Sequence, residues 1–287
     1  MKKATAILLL LMTFMVSCES DSTSVTNPQT VLLKKRIKTT NGNSITETFT
    51  YDGDKIVSIE TSTGLLKRFV YTGELITKVI YTYVGGSLET TLGETFEYNG
   101  ADQLIKKTSV TYAPGASGPT TYYIDYIHNN DGTISYTKYQ NGTTSTADSG
   151  IIHIDTNQVA EISNVYYASG WGFVSHGGAV IYYSGGTKTK SAIYENDNQR
   201  NPLGNIVGFK KILFAGVLDF KGAADHNVTK IRTFTTSIVD DYPTNSYNKS
   251  ETLTITRQYD TLGYPTYFSQ TDSQYTSQIY EETYLYE

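Results

Sequence analysis

The chain has 287 residues and a formal net charge of −5. This mildly acidic balance argues against a nucleic-acid-binding protein, because such proteins carry a basic surface. The sequence contains a single cysteine, which excludes a disulfide scaffold and a zinc-thiolate site. The length suffices for one large hydrophobic core, since all-β domains of this size commonly form a single unit.

The first 17 residues have the pattern of a secretory signal peptide. Lys2 and Lys3 give a basic start, the stretch 4–16 is almost wholly apolar, and Ser17 is a small residue at the predicted cleavage point. The apolar stretch is too short to span a bilayer, which needs about 20 residues. We therefore predict that residues 1–17 are removed on export.

The only cysteine, Cys18, directly follows this segment. The sequence MVSC resembles a bacterial lipobox, which implies cleavage before Cys18 and acylation of its sulfur and its new amino group. The alternative is an ordinary signal peptide that ends near a cysteine. Several acyl chains together anchor a protein stably, since each buried methylene contributes ~0.8 kcal/mol. We expect an outer-membrane anchor and leave the periplasmic or cell-surface face open.

Residues 18–30 are almost free of apolar side chains and are predicted to be a flexible tether. A single β-rich domain is predicted over 31–287. The chain contains 25 Tyr, 24 Gly and only 6 Pro, and Tyr and Thr favour pleated, half-buried surfaces. The segment ITETFTY places Phe49 and Tyr51 on one face with Glu47, and threonines on the other. This period of two predicts a β-strand.

A short motif, Phe-x-Tyr-x-Gly followed by aliphatic residues, occurs three times, at Tyr51, Tyr71 and Tyr98. Asp-Gly and Asn-Gly pairs are strong hairpin signals. Turns are accordingly predicted at Asp52-Gly53, Thr72-Gly73, Asn99-Gly100, Asp131-Gly132, Asn141-Gly142, Gly185-Gly186 and Leu262-Gly263. The variable spacing indicates a run of hairpins, and the predicted fold is all-β: a long antiparallel meander that forms a curved sheet or a barrel-like structure.

One segment has the periodicity of a helix. Five apolar residues recur at helical spacing: Ile206, Phe209, Leu213, Val217 and Phe220. Asn201 can cap a helix, Pro202 suits its first position and Gly222 can end it. Three further glycines weaken the pattern, so we predict one short or broken helix near 202–221 that covers the sheet or plugs its end.

The Tyr-x-x-Gly repeat resembles the YD (Rhs-type) repeat. The exported chain also resembles a group of β-rich bacterial lipoproteins of unknown function, with the blocks NPLGNIVGF, HNVTKI and YDTLGYPT in the order seen in that group. The resemblance implies a long, curved antiparallel sheet behind a lipid-anchored cysteine and implies no catalytic residues. Three clear repeats are too few for the encapsulating role of Rhs shells.

The best candidate ligand site is aromatic. Trp171, the only tryptophan, lies in a Gly-rich stretch with Tyr166, Tyr167 and Phe173. Such side chains can stack on a sugar ring, although a hairpin tip or a tryptophan buried against the sheet would give the same pattern. Exposure of these rings would favour a carbohydrate-binding accessory protein.

Candidates for metal or acid–base chemistry are weaker. His153 and Asp155 share a strand face without a third metal ligand nearby, and NNDGTIS lacks the terminal ligands of a calcium loop. Paired carboxylates could serve a glycosidase, but aspartates in turns are explained by local hydrogen bonds. The pairs are Asp52 with Asp54 and Asp240 with Asp241. No cofactor and no metal are predicted.

The sequence therefore predicts a lipid-anchored cell-envelope protein that is not an enzyme and that serves in binding or as a scaffold. Its expected partners are the membrane, through the lipid on Cys18, and a polysaccharide or an envelope protein. A hydrolase is favoured only if carboxylates from distant strands converge in one pocket. A membrane-embedded barrel is disfavoured because neither face of the strand QIYEETYLYE is cleanly apolar.

Overall fold

The computed structural model describes residues 30–83, 92–112, 118–140, 148–155, 158–176, 179–215, 226–239, 242–272 and 280–287. Within these ranges, side chains are described except at 112, 148, 155–190, 213, 236–248 and 272. Residues Val31–Glu287 form one compact unit. The signal peptide, Cys18 and most of the predicted tether lie outside the described residues, so those assignments stay predictions.

Sixteen antiparallel strands follow one another around a ring, and each pairs with its neighbour in the chain. The strands are β1 Leu33–Thr40, β2 Asn43–Asp52, β3 Lys55–Thr61, β4 Leu65–Thr72, β5 Leu75–Tyr83, β6 Gly93–Tyr98, β7 Leu104–Tyr112, β8 Pro119–His128, β9 Ile134–Gln140, β10 Asp148–Asp155, β11 Gln158–His176, β12 Ala179–Arg200, β13 His226–Val239, β14 Tyr242–Tyr259, β15 Pro265–Asp272 and β16 Tyr280–Tyr286. The first strand pairs with the last, from Leu33↔Tyr286 to Thr40↔Tyr280, and closes the sheet into a barrel. The predicted barrel-like meander is confirmed.

The period-two pattern sorts the side chains between the barrel interior and its outside. In β2, Glu47 and Phe49 are buried and Tyr51 is half-buried, whereas Thr48 and Thr50 are exposed. Phe49, Phe69 and Phe96 occupy the same place in their motifs, and all three are buried in the core. Each fully buried side chain of this size contributes about 1.5–3 kcal/mol, so the motif phenylalanines fix which face of each hairpin points inward.

The tight motif turns lie one residue later than predicted. Asp52 pairs with Lys55, so the two central residues are Gly53 and Asp54, and only the glycine has a positive φ, of 60°. The second motif turn repeats this arrangement, with Gly73 at φ 61°. A glycine at the first central position is the requirement of a type II′ turn. The turns predicted at Asp52-Gly53 and Thr72-Gly73 therefore lie at Gly53-Asp54 and Gly73-Glu74.

Three other turns share a five-residue design, over 99–103, 129–133 and 260–264. In each, the first N–H donates to the fifth carbonyl and the fourth N–H donates back to the first carbonyl. The fourth residue, Asp102, Gly132 or Gly263, has a φ between 57° and 84°. The wider turn expected at Leu262-Gly263 is confirmed, and NNDGTIS forms a hairpin turn of the same kind.

The motif tyrosines connect neighbouring repeats. Tyr98 lies inside the barrel and its hydroxyl donates to the carbonyl of Ile76, at 2.6 Å. Tyr51 makes the same kind of bond to Leu33, at 2.8 Å, and His128 takes the tyrosine position in its own hairpin, with Nε2 2.9 Å from the carbonyl of Leu104. The tyrosine of each motif thus fastens one hairpin to the beginning of an earlier one.

We expect Tyr98→Phe to lower the free energy of unfolding by about 1 kcal/mol, because the Ile76 carbonyl loses its side-chain donor. Urea denaturation followed by circular dichroism measures the difference. Tyr123→Phe is the matched control, since Tyr123 stacks on Tyr139 at 5.2 Å and its ring rather than its hydroxyl makes the contact. Equal losses in the two variants would contradict this role of the motif hydroxyl.

The segment 201–215, named here the plug segment, closes one end of the barrel. It begins with turns, continues as helix α1 (Phe209–Ile212) and ends in a 3₁₀ turn (Leu213–Ala215). The side chain of Asn201 caps its first turn, because Asn201 Oδ1 accepts from the N–H of Leu203 at 2.8 Å. Its inward side chains are buried in the core: Leu203, Ile206, Phe209, Ile212 and Ala215. The predicted short helix is confirmed.

The plug segment lies against the turns of the repeated hairpins. Val207 N–H donates to the carbonyl of Asp54 at 3.1 Å, and the hydroxyl of Tyr71 donates to the carbonyl of Val207 at 3.3 Å. On the other side, Asn205 Nδ2 donates to the carbonyl of Val31 at 2.8 Å. The helix begins later than the apolar spacing suggested, because Gly208 adopts a φ of 75°, which interrupts a helix. Val217 and Phe220 lie outside the described residues.

We expect Gly208→Ala to destabilise the protein by about 2–3 kcal/mol. An added Cβ would press into the carbonyl oxygen of Glu74, and the positive φ disfavours any L side chain. Gly42→Ala is the control, because Gly42 has a φ of 81° with nothing within 4 Å of an added Cβ. It should cost about 1 kcal/mol from backbone strain alone. Equal losses of thermal stability in Gly208→Ala and Gly42→Ala would contradict the close approach of Gly208 to the carbonyl oxygen of Glu74.

Candidate functional site

A cavity of about 290 Å³ lies inside the barrel, on the inner side of the plug segment. Its walls combine side chains from β1, β13, β14, β15 and β16 with the first residues of the plug segment. The lining residues are Arg36, Lys38, Asn201, Pro202, Asn227, Val228, Ile255, Arg257, Phe268, Gln270, Tyr280, Glu282 and Tyr284. Charged side chains are therefore concentrated in an interior that is otherwise aromatic and aliphatic.

Arg36 is the most deeply buried charged residue, with 1% of its surface exposed. Its Nε donates to Glu47 Oε2 at 2.6 Å, and Lys38 Nζ lies 3.1 Å from the other oxygen of the same carboxylate. Burial by itself would raise the pKa of Glu47, but the two cations outweigh it and lower that pKa. Glu47 thus stays ionised and is the counter-ion of Arg36 and Lys38 in β1.

Glu282 is the second carboxylate beside Arg36, at 4.0 Å from its guanidinium. It accepts hydrogen bonds from the hydroxyls of Tyr280, at 2.5 Å, and Tyr284. Burial and the negative charge of Glu282 raise the pKa of Tyr284 well above its usual value. The Tyr284 hydroxyl therefore keeps its proton and directs it at Glu282.

Arg257 forms the opposite wall of the cavity. Its guanidinium lies 5.2 Å from the centroid of the Phe268 ring, and one of its terminal nitrogens donates to the carbonyl of Val228. The ring of Phe268 meets Tyr280 edge-to-face at 5.7 Å. A cation over an aromatic face, away from water, is held with its charge available to the cavity.

The plug segment supplies polar groups at the base of the cavity. Asn201 is 2% exposed, and its Oδ1 is occupied by the N–H of Leu203. Asn227, equally buried, donates through Nδ2 to the carbonyl of Arg200 at 3.0 Å. Asn227 thus joins β13 to the end of β12, directly before the plug segment, and the two amides form a polar base of the cavity.

The arrangement suits binding better than acid–base catalysis. Of the two buried carboxylates that converge on Arg36, only Glu282 lines the cavity. A general acid would need a raised pKa, whereas the pKa of Glu47 is lowered by Arg36 and Lys38 in spite of its burial. Within the described residues, no three His, Cys, Asp or Glu side chains lie close enough together to hold a metal ion.

None of the sequence-predicted site residues whose side chains are described lines this cavity. Tyr166, Tyr167, Trp171 and Phe173 belong to β11, but their side chains lie outside the described part, so the aromatic site stays a prediction. His153 lies in β10 opposite Glu161, and the side chain of Asp155 is not among the described ones.

The predicted carboxylate pairs also lie elsewhere. Asp52 and Asp54 flank an exposed turn, where the carbonyl of Asp54 accepts a bond from the plug segment. Asp240 and Asp241 lie outside the described residues. Asp52 and Asp54 do not line the cavity.

Sequence reasoning missed Arg36, Arg257 and Glu282. The available signal was a charged residue within an inward-facing run, as Glu47 interrupts the apolar face of β2 and Glu282 lies between Tyr280 and Tyr284. A charge on such a face predicts a buried partner on a neighbouring strand, because an unpaired buried charge is strongly unfavourable. That partner, Arg36, is identified only by the register of β1.

A second, wider groove of about 560 Å³ lies where the plug segment meets the hairpin turns. It is bounded by the turn at Gly73, by Asp102 and by Lys210 and Lys211. Gly73, Asp102, Lys210 and Lys211 are exposed. The inner cavity is the stronger candidate, since its polar groups are buried and fixed by ion pairs.

The fold has known counterparts among solved structures. The chain is similar to a porin-like protein from Bacteroides vulgatus ATCC 8482, with a TM-score of 0.51 and 13% identity over 90% of this chain and 99% of that chain. A porin-like protein from Bacteroides uniformis ATCC 8492 has a TM-score of 0.45 and 13% identity over 91% of this chain and 97% of that chain. At these identities the likeness shows the all-β fold alone.

No known protein family and no curated protein matches the sequence. The resemblance to YD-repeat lipoproteins therefore stays a prediction. Among the described residues, no helix has both the length and the apolar character needed to cross a membrane.

Proposed function

We propose that the protein is a lipid-anchored cell-envelope protein that binds a small molecule inside its barrel and has no enzymatic activity. The observation that supports binding is the cavity of about 290 Å³ between the plug segment and the charged residues of β1, β14 and β16. Ligand sites are concave and mostly apolar, with a few fixed polar groups. The buried ion pairs and the plug segment provide such a preformed site.

The outer wall of the barrel supports anchoring by lipid rather than by the strands. Exposed charged side chains occur on many strands around the ring: Lys35, Glu60, Arg68, Lys78, Glu97 and Arg232. Glu195 forms ion pairs with Lys230 at 3.2 Å and with Arg232 at 2.9 Å. A lipid-facing wall needs an apolar band about 25 Å tall, so this wall favours a barrel that lies outside the bilayer.

The binding proposal is tested by filling the cavity. Gln270→Trp places a large side chain in the cavity wall, and Ser269→Trp places the same side chain on the opposite face of β15. Small fragments no larger than a monosaccharide, both neutral and charged, are titrated into the full-length protein in detergent. We expect fragment binding by the wild type and Ser269→Trp, and its loss in Gln270→Trp. Binding that persists in Gln270→Trp would place the site elsewhere.

The anchoring proposal is tested on the native protein. The intact mass of the membrane-extracted chain should match a polypeptide that starts at triacylated Cys18, and Cys18→Ala should release it from the membrane. Protease shaving of whole cells assigns the face, since a cell-surface protein is digested and a periplasmic one is protected. An unacylated chain in the soluble fraction would overturn the anchor.

A further inference from the structure

The chain enters the barrel at the end that the plug segment closes. Thr30, the first described residue, is exposed, and the carbonyl of Val31 accepts a hydrogen bond from Asn205 of the plug segment at 2.8 Å. The carbonyl of Leu32 accepts from the N–H of Glu287 at 3.2 Å. The chain that precedes Thr30 is therefore joined to the barrel beside the plug segment.

The length of that chain limits which part of the barrel an anchor at Cys18 can hold near a membrane. Twelve peptide units lead from Cys18 to Thr30, and they span at most about 43 Å when fully extended. Strand β12 runs 22 residues from Ala179 to Arg200, directly before the plug segment. At about 3.3 Å per residue and the usual tilt of about 40°, its two ends lie about 50 Å apart along the barrel axis. The chain before Thr30 is too short to bring the Ala179 end of β12 onto the bilayer.

Exposed apolar side chains accumulate at the same end of the barrel. Because consecutive strands are antiparallel, the turns after β2, β4, β6, β8 and β14 lie at the plug end, together with the end of β16. Among the described side chains, six of the ten exposed large hydrophobic residues lie in these turns or within three strand residues of a plug-end strand terminus. We name these six the plug-end rim: Val57, Val70, Ile105, Ile127, Leu262 and Leu285. Exposed apolar groups of this kind mark interaction sites with proteins or membranes.

The charges of the rim limit how deeply it can enter a bilayer. Asp52, Asp54 and Glu74 are exposed in the first two motif turns, and Lys210 and Lys211 are exposed on the plug segment. Charged side chains are unfavourable in the hydrocarbon core, whereas apolar side chains can enter the headgroup boundary by about 5–10 Å while charges beside them stay hydrated. The rim therefore suits the interfacial layer.

We infer that the plug end of the barrel faces the bilayer, with the plug-end rim in its interfacial layer, and that the Ala179 end of β12 projects away from it. The inference rests on the proposed lipid anchor and adds the orientation that the anchor imposes. The bilayer is the occupant of the rim because the chain that leads to Cys18 leaves the barrel there.

This orientation assigns the membrane-distal end to the sequence-predicted aromatic stretch. Trp171 lies in the part of β11 that pairs with the beginning of β12, where Phe173 pairs with Tyr182 and His176 pairs with Ala179. The stretch is thus held away from the membrane, on the side from which a large ligand can approach.

The orientation is tested by energy transfer from single labelled cysteines to the membrane. The acylated full-length protein is added to vesicles of phosphatidylethanolamine and phosphatidylglycerol that contain an acceptor-labelled lipid. The donor is attached at Lys211→Cys on the plug segment, at Arg232→Cys on the outer wall or at Ala179→Cys. Transfer should decrease in that order and be at least about twofold more efficient from Lys211→Cys than from Ala179→Cys, because these ends lie about 50 Å apart. Equal transfer from all three positions, or the strongest transfer from Ala179→Cys, would overturn the inference.

Contact of the rim with lipid is tested with a polarity-sensitive label. Leu262→Cys places it on the rim, and Ile151→Cys, in β10, is the matched control, since both side chains are exposed, at 59% and 41%. The emission of the label at Leu262→Cys should shift to the blue when vesicles are added, and that at Ile151→Cys should not. The absence of a shift at Leu262→Cys would overturn the contact with the interfacial layer.

The outcomes separate this inference from the proposed anchor. Cys18 is the only natural cysteine, so the wild type should take up no thiol label if Cys18 is acylated. Labelling of the wild type, or its failure to float with the vesicles, would overturn the anchor and the orientation together. A wild type that floats unlabelled, with the order of transfer reversed, would overturn the orientation alone.

Discussion

Replacing Arg36 with methionine is expected to lower the free energy of unfolding by about 3–5 kcal/mol. The substitution keeps an unbranched apolar stem but leaves Glu47 and Glu282 buried without the cation between them. Desolvated carboxylates are unfavourable unless they are paired, and Lys38, which pairs with Glu47, supplies one positive charge for two carboxylates. Urea denaturation of the full-length protein measures the change.

The matched control is Arg232→Met on the outer wall. Arg232 also forms an ion pair, at 2.9 Å from Glu195, but its side chain is 47% exposed. Solvent-exposed pairs contribute about 0–1 kcal/mol, so this variant should be nearly as stable as the wild type. The double variant Arg36→Met with Glu47→Leu should recover part of the loss, because it removes one of the orphaned charges. Similar losses for Arg36→Met and Arg232→Met would show that the interior pair is not desolvated.

Replacing Lys107 with methionine is expected to destabilise the plug segment and to lower the free energy of unfolding by about 3–5 kcal/mol. Lys107 is 6% exposed, and its Nζ lies 2.6 Å from Glu94 Oε1 and 2.7 Å from the carbonyl of Ala215. It thus joins the wall of the barrel to the last turn of the plug segment. Without it, Glu94 keeps a buried, unpaired carboxylate.

Hydrogen exchange distinguishes this local effect from general destabilisation. In Lys107→Met, the amides of Phe209 and Lys211, which donate to the carbonyls of Ile206 and Gly208, should exchange faster than the amides of the β1–β2 ladder. Lys106→Met is the control, because the adjacent side chain points outward, 3.9 Å from Asp125. Exchange that accelerates uniformly across the barrel would contradict the role of Lys107 as a tether of the plug segment.

The interior polar groups explain why a barrel of this size needs few aliphatic residues. Tyrosine hydroxyls donate to backbone carbonyls of earlier repeats, as at Tyr98 and Tyr51. The buried ion pair of Arg36 with Glu47 occupies interior volume that aliphatic side chains would otherwise fill. Burial raises the pKa of Tyr71 to about 12, in spite of the N–H of Ile56 that donates to its oxygen. The motif tyrosines therefore stay neutral hydrogen-bond donors at any pH that the envelope experiences.

The local structure of this protein follows from short stretches of its sequence. Alternation in ITETFTY, the Phe-x-Tyr-x-Gly motif and the spacing of Ile206 and Phe209 are read within one strand or one turn, because side-chain direction follows from backbone periodicity. The position of the tight turns was misjudged by one residue, since Gly53 can occupy either central position of a two-residue hairpin loop and only the strand register decides between them.

The closure of the barrel and the candidate site depend on contacts between distant parts of the chain. Closure joins Leu33 to Tyr286, and the cavity brings Arg36 of β1 together with Arg257 of β14 and Glu282 of β16. The register between distant strands depends on packing and hydrogen bonding summed over the whole ring, which no local pattern encodes. The plug segment likewise shows its apolar face in the sequence, but the barrel end that it fills exists only after the sixteen strands have closed.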